Sequence, residues 1–213
     1  MSGMTLRPYR REDRAAIGEV CVATGDSGAD ARGLYVDDEL LPHIYAYPYL
    51  DFAPDLVSVI EDRGRVVGYL LGVASVDEFV SWWREHWRPV IAERYGSIEH
   101  ASPADARLIT LGLNPEQQLT ELREDYPAEF HIDLLPDAQG QGHGRRLIDW
   151  FLGELGRRGV PGLAIGVGAR NEGAIGFYRC LGFAVHQEHI GADGAPIAYT
   201  MTIDVPRKDP VQP

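Results

Sequence analysis

Gln139-Gly140-Gln141-Gly142-His143-Gly144 places glycine at every second position, between an apolar run, Phe130 to Leu135, and a helical pattern from Arg145 to Arg158. Glycine adopts backbone angles closed to other residues, so the chain turns tightly where a strand hands over to a helix. The first turn of that helix carries amide hydrogens with no carbonyl to bind. Aimed into the gap at the positive end of a helix, they suit a phosphate.

Outward from the loop, the run Phe130–Leu135 is followed by a helix, Leu163–Val167, a second helix, and two more runs, Phe183–Ile190 and Ile197–Ile203. Short apolar runs separated by one long helix indicate a βαβ unit with parallel strands and a right-handed crossover. Leu147, Ile148, Phe151, Leu152 and Leu155 form one stripe on the crossover helix. Upstream, Met4–Arg10 reads as a strand, and Glu12–Cys21 and Asp38–Ala46 as helices. Leu56–Ile60 and Arg65–Val73 read as a hairpin turned by Glu61-Asp62-Arg63-Gly64. Asp77 to Asp125 has helical spacing and a polar break at Ser97–Pro103. Its Trp82, Trp83, Trp87 and Tyr95 read first as core and second as a wall facing substrate. His86 and His100 read as surface or satisfied residues. No linker divides the chain, so one domain is expected over residues 1–205, with a helical insertion at about 77–125 and a proline-rich, disordered tail at 206–213.

The chain has 213 residues, 45% apolar and 24% charged, enough for one sizeable core. No apolar run is long enough to span a membrane and the first residues lack a signal core, so a cytoplasmic protein without membrane contact is expected. Cys21 and Cys180 lie far apart in helical patterns and read as buried thiols, with neither disulfide nor metal site implied. A net charge of −12 argues against nucleic acid as a partner and is compatible with a cationic one. Of the 20 basic residues only Lys208 is a lysine.

Three phosphate loops compete, and spacing separates them. A nucleoside-triphosphate loop needs Gly-Lys before Ser or Thr, which is absent. A dinucleotide loop belongs near the first strand, whereas this one lies late in the chain. Gln139, Gly142 and Gly144 give Q-x-x-G-x-G, with a plain glycine-rich turn as the alternative. A second motif weighs against that alternative: Asn171 to Phe183 reads N-x-x-A-x-x-F-Y-x-x-x-G-F. Asn171 is placed as a helix cap, Ala174, Phe177, Tyr178 and Leu181 share a face, and Gly182 closes the helix.

Together these motifs resemble the GCN5-related N-acetyltransferase (GNAT) superfamily, with the specific residues confined to Phe130–Phe183. More narrowly, Leu6-Arg7-Pro8-Tyr9, Gly68-Tyr69-Leu70-Leu71-Gly72 and Trp82–Tyr95 look like the acetyltransferase-like domain of animal O-GlcNAc hydrolases and its free-standing bacterial relatives. The resemblance implies an α/β fold: a central mixed, mostly antiparallel sheet of about seven strands with a parallel βαβ cofactor unit and flanking helices. It implies transfer of an acyl group from acetyl-CoA to a primary amine of a small molecule or protein, without a metal. A homodimer is implied by the same analogy.

On that resemblance, Leu134 and Leu135 offer backbone groups to the pantetheine arm, the Leu135 amide polarises the thioester carbonyl, and amides from Gln139, Gly140, Gln141, Gly142, His143, Gly144 and Arg145 receive the pyrophosphate. Asn171, Ala174 and Phe177 border the cofactor. Tyr178 matches the acid that protonates the leaving thiolate, with packing under the cofactor as its alternative. Asp133 is an acid inside a β segment, where aspartate is disfavoured, so it reads as a base, with an ion pair or a turn-stabilising hydrogen bond as its alternatives. Alternation puts His131, Asp133 and Leu135 on one face. The other class of reading is a non-catalytic module that binds coenzyme A or a protein partner.

Overall fold

The computed structural model describes residues 3–96 and 102–206. His100, part of the polar break and the tail from 207 onward, with Lys208, lie outside them. The chain opens with β1 (Thr5–Pro8), α1 (Arg14–Thr24), α2 (Leu40–Tyr45) and α3 (Tyr47–Phe52). It continues through the hairpin β2 (Val57–Asp62) and β3 (Arg65–Val73), then the helices α4 (Val76–Trp82), α5 (Arg88–Tyr95) and α6 (Pro103–Leu113). The second half is β4 (Glu129–Leu134), α7 (His143–Arg157), β5 (Gly162–Gly168), α8 (Glu172–Cys180), β6 (Ala184–Ile190) and β7 (Pro196–Asp204). The helix expected over Asp38–Ala46 is shorter, starting at Leu40, and a second one follows directly, because Ala46 leaves helical geometry at φ −129° and Pro48 fits the first turn of α3.

Two antiparallel blocks make up the sheet, β1-β2-β3-β4 and β5-β7-β6. They meet at one parallel bridge, Ala128 with Leu163, where the Ala164 amide donates to the Ala128 carbonyl at 2.9 Å. Beyond that bridge β4 and β5 separate. The crossover helix α7 covers one face of the sheet, with Leu147, Ile148, Phe151 and Leu155 all fully buried, while Leu152 is half-buried at the stripe's edge. Gly72 makes this approach possible, since a Cβ there would collide with the Phe151 ring. On the other face lie α1, α2, α3 and the insertion. Trp83 donates to the Gly112 carbonyl at 2.9 Å and Trp87 to the His43 carbonyl at 2.8 Å, so both indoles are core, joined by a π-helical turn between α4 and α5. Cys21 is buried as expected. Cys180 is exposed, because the last turn of α8 turns it away from the apolar face that Ile175 and Tyr178 occupy.

Candidate active site

The gap between β4 and β5 is a cleft of about 170 Å³, lined by the two strands and by Asn171, Ala174 and Tyr178 of the second motif. Phe130, Ile132 and Asp133 line one side, Val167 and Gly168 the other, and Asn171, Ala174 and Tyr178 close one end. A larger hollow of about 550 Å³ lies among α1, α2 and α5, where Arg14 pairs with Asp51 and Arg94 with Asp37, and neither glycine-bearing motif reaches it.

The glycine loop forms as its sequence demands. Gly140 and Gly142 sit at φ +70° and +81°, with open space where a Cβ would be. Gly144 permits a close approach: a Cβ there would lie 2.9 Å from Cζ of Phe177, which is how the second motif comes to rest against the first. Amides of residues 140 to 145 donate to no backbone carbonyl among the described hydrogen bonds, whereas Arg146 donates to Gly142. This is a ring of free donors at the N-terminus of α7, the chemistry an anion needs. Gln139 does not belong to it. Its amide donates to the Pro136 carbonyl at 3.1 Å and its side chain to the Leu134 carbonyl at 2.8 Å, so it braces the turn instead. Arg145 reaches back to the Cys180 carbonyl at 3.3 Å, tying α7 to the end of α8. Gln141 likewise bonds the Asp137 carbonyl through its side chain, leaving its amide free.

One backbone expectation is overturned. The Leu135 amide donates to the Val67 carbonyl at 2.9 Å and cannot polarise a thioester. In an antiparallel pair the bonded residues alternate, so Asp133 and His131 also turn their backbone groups toward β3. Leu134 and Ile132 turn theirs toward the cleft, and the amide available at the end of β4 is that of Leu134.

Side chains of β4 divide in the complementary way. Phe130 packs against Tyr178 and Phe183, with ring centroids 6.1 and 6.3 Å apart. Glu129, His131 and Asp133 face α1 and α3. Asp133 and Tyr178 therefore enter the same cleft from opposite faces of one strand. Asn171 caps α8 through Oδ1, which accepts from the Ala174 amide at 3.1 Å, and so holds the first turn of that helix at the cleft.

The electrostatics are those of a narrow cleft in which Glu129, His131 and Asp133 are half-buried and Tyr178 is buried. Burial raises Asp133 from 3.8 to about 6, opposed by the Tyr69 hydroxyl, which donates to it at 2.6 Å, and by Thr24. The Tyr178 phenol is raised by burial and then by the charge on Asp133. Glu129 is lifted by burial from 4.5 to about 7 although Tyr49 donates to it at 2.7 Å, and burial lowers His131 to about 4. Tyr49, Tyr69 and Glu129 escaped the sequence reading. Extending the alternation of His131 and Asp133 one step back reaches Glu129, but no sequence signal names the tyrosines that meet these acids across the packing.

The fold agrees with comparisons to known proteins. The sequence profile of the acetyltransferase (GNAT) family matches residues 29–183. Protein O-GlcNAcase of Rattus norvegicus is 23% identical over 185 residues, 84% of this chain, and the chain spans only 20% of that protein's length. The ribosomal protein bS18-alanine N-acetyltransferase of Escherichia coli K12 is 42% identical over 100 residues, 47% of this chain and 68% of that one. Among solved structures, SsHAT superposes with a TM-score of 0.85 at 36% identity, covering 96% of this chain and 99% of its own. The chain belongs to the acetyltransferase (GNAT) family.

Proposed function

We propose that the protein is an N-acetyltransferase that takes its acyl group from acetyl-CoA and delivers it to a primary amine. One observation carries this reading: an intact ring of free amides at the start of α7 opens beside a cleft that holds both a proton acceptor and a proton donor. The bS18-alanine N-acetyltransferase of Escherichia coli, whose name states this chemistry, supports the class of reaction.

The donor substrate supplies a thioester carbonyl carbon open to attack by nitrogen. Residues 140 to 145 would hold its pyrophosphate through their amides, and Ile132 and the Leu134 amide would pair with its arm along the edge of β4 that turns away from β3. The Leu134 amide is the group placed to hydrogen-bond the carbonyl oxygen. Asp133, ionised above about pH 6, accepts a proton from the nitrogen. Tyr178, neutral throughout the working range, donates one to the sulfur. The two are coupled: burial is the larger cause of the weak acidity of Tyr178 and persists, but once Asp133 is protonated its charge no longer adds to it, and the phenol becomes more acidic when sulfur needs its proton.

Calorimetric titration with acetyl-CoA tests the reading. Saturable binding is expected, weakened by substitutions in residues 140–144. No heat at millimolar acetyl-CoA would leave a non-catalytic module as the better description.

A further inference from the structure

An amine nitrogen loses two protons between its ammonium form and the amide product, and only one returns, to the departing sulfur. One base accounts for one of them. His131 lies two residues before Asp133 on the same face of β4 and lines the same cleft. Behind it runs a chain of hydrogen bonds. The Tyr49 hydroxyl donates to Glu129 Oε1 at 2.7 Å, and His131 Nε2 lies 3.1 Å from the Tyr49 oxygen. Tyr49 has one hydroxyl proton and gives it to the carboxylate, so its oxygen accepts from His131. Nε2 is then the protonated nitrogen of a neutral imidazole, and Nδ1 keeps its lone pair, with no hydrogen bond among the described residues. Tyr45 and Tyr49 meet the ring edge to face at 5.4 and 5.2 Å, which fixes its plane.

We infer that His131 is a second proton acceptor of the acyl transfer, with Nδ1 receiving the first proton of the incoming ammonium and with Tyr49 and Glu129 as positioning residues that set its tautomer. The inference rests on the N-acetyltransferase reading. The ammonium nitrogen gives one proton to Nδ1 and keeps the electron pair. That pair forms the carbon–nitrogen bond as the carbon–sulfur bond breaks. The nitrogen's second surplus proton passes to the Asp133 carboxylate, and the sulfur takes the proton of Tyr178. Tyr178 is restored from Asp133, and His131 releases its proton to solvent. Ammonium and thioester thus become amide, thiol and one free proton.

Burial lowers the imidazole to about 4, which keeps its lone pair free at every physiological pH and also makes it a weak base that needs a stabilising charge when it takes a proton. Above about pH 7, where Glu129 is ionised, its carboxylate lies one hydroxyl away and supplies that charge, as the carboxylate does in a serine-protease triad. The titratable groups around His131 are Glu129 and Asp133 on its own strand, Tyr69 on β3, Cys21 on α1, Tyr45 on α2, Tyr49 on α3 and Tyr178 on α8, with Arg107 and Tyr35 beyond Tyr45.

Two measurements on the full chain test this. Long-range proton–nitrogen NMR of the imidazoles reads the tautomer without any acceptor amine: the Nε2–H form is expected for His131, and the Nδ1–H form overturns the proposal. Steady-state kinetics on His131→Ala, Glu129→Gln and the double variant read the coupling. His131→Ala is expected to lower kcat about 100-fold with the KM for acetyl-CoA kept, and Glu129→Gln about tenfold. The double variant should be no slower than His131→Ala, because both act through one nitrogen. Tyr49→Phe should behave as Glu129→Gln does, which keeps the test open if one variant fails to fold. Wild-type turnover in His131→Ala, or fully multiplicative losses, would overturn the role of His131 alone. A protein that binds acetyl-CoA and acetylates no amine would overturn the acetyltransferase reading, and this inference with it.

Discussion

Replacing Glu129 by glutamine should stabilise the protein by an amount that is absent below pH 4.5, grows as pH rises and is complete above about 7. The Glu129 carboxyl is enclosed beneath Tyr49, and burial holds its pKa at about 7 against 4.5 in the unfolded chain. Below pH 4.5 the acid is neutral in both states and resembles glutamine, so wild type and variant should melt together. Between 4.5 and 7 the unfolded chain sheds the proton while the folded one retains it, and stability falls as pH rises. At about 1.4 kcal/mol per pH unit, the folded state loses about 3 kcal/mol by the time both states are ionised. Glutamine keeps an oxygen for the Tyr49 hydroxyl to donate to and carries no charge. At about 2 to 4 °C per kcal/mol for a chain of this size, the variant should melt roughly 6 to 12 °C above wild type at pH 8. Scanning calorimetry of both proteins between pH 4.5 and 8.5 checks this. A difference in Tm that is constant across that range would refute the reasoning, since it would show that Glu129 does not change its charge cost with pH.

Asp133→Asn should lower kcat and remove the limb of the pH–rate profile near 6, measured by thiol release in buffers from pH 5 to 8. Tyr178→Phe should reduce kcat about 100-fold while acetyl-CoA binding by calorimetry stays within a factor of a few, because only the donated proton is lost. Gly142→Ala meets no neighbour but forces a side chain onto φ +81°. That strain of about 1 to 2 kcal/mol should weaken acetyl-CoA binding roughly tenfold in the same titration.

The glycine loop, the capped helix at Asn171 and the stripe on α7 were legible because each depends on local rules of turn, cap and period. The hairpin of β2 and β3 was legible from its turn in the same way. What escaped depends on register. Whether the Leu135 amide faces β3 or the cleft is settled by its pairing with Val67, a contact across many residues of sequence. Gln139 looked like a phosphate ligand because its motif position fits one, yet its side chain reaches the Leu134 carbonyl, a bond visible only once the turn is built. Asp133 stood out as an acid in a strand, while the partners that make it and Glu129 bearable, Tyr69 and Tyr49, sit on other elements.

Transfer of an acetyl group from coenzyme A to nitrogen is the reaction proposed for this cleft. Incubating the protein with acetyl-CoA carrying a heavy-isotope acetyl group and a panel of primary amines, then reading products by mass spectrometry, tests it most directly. A labelled N-acetyl product should form in step with thiol release, about 100-fold more slowly in Tyr178→Phe. Thiol release without a labelled amide, or labelled amide formed equally well without Tyr178, would contradict it.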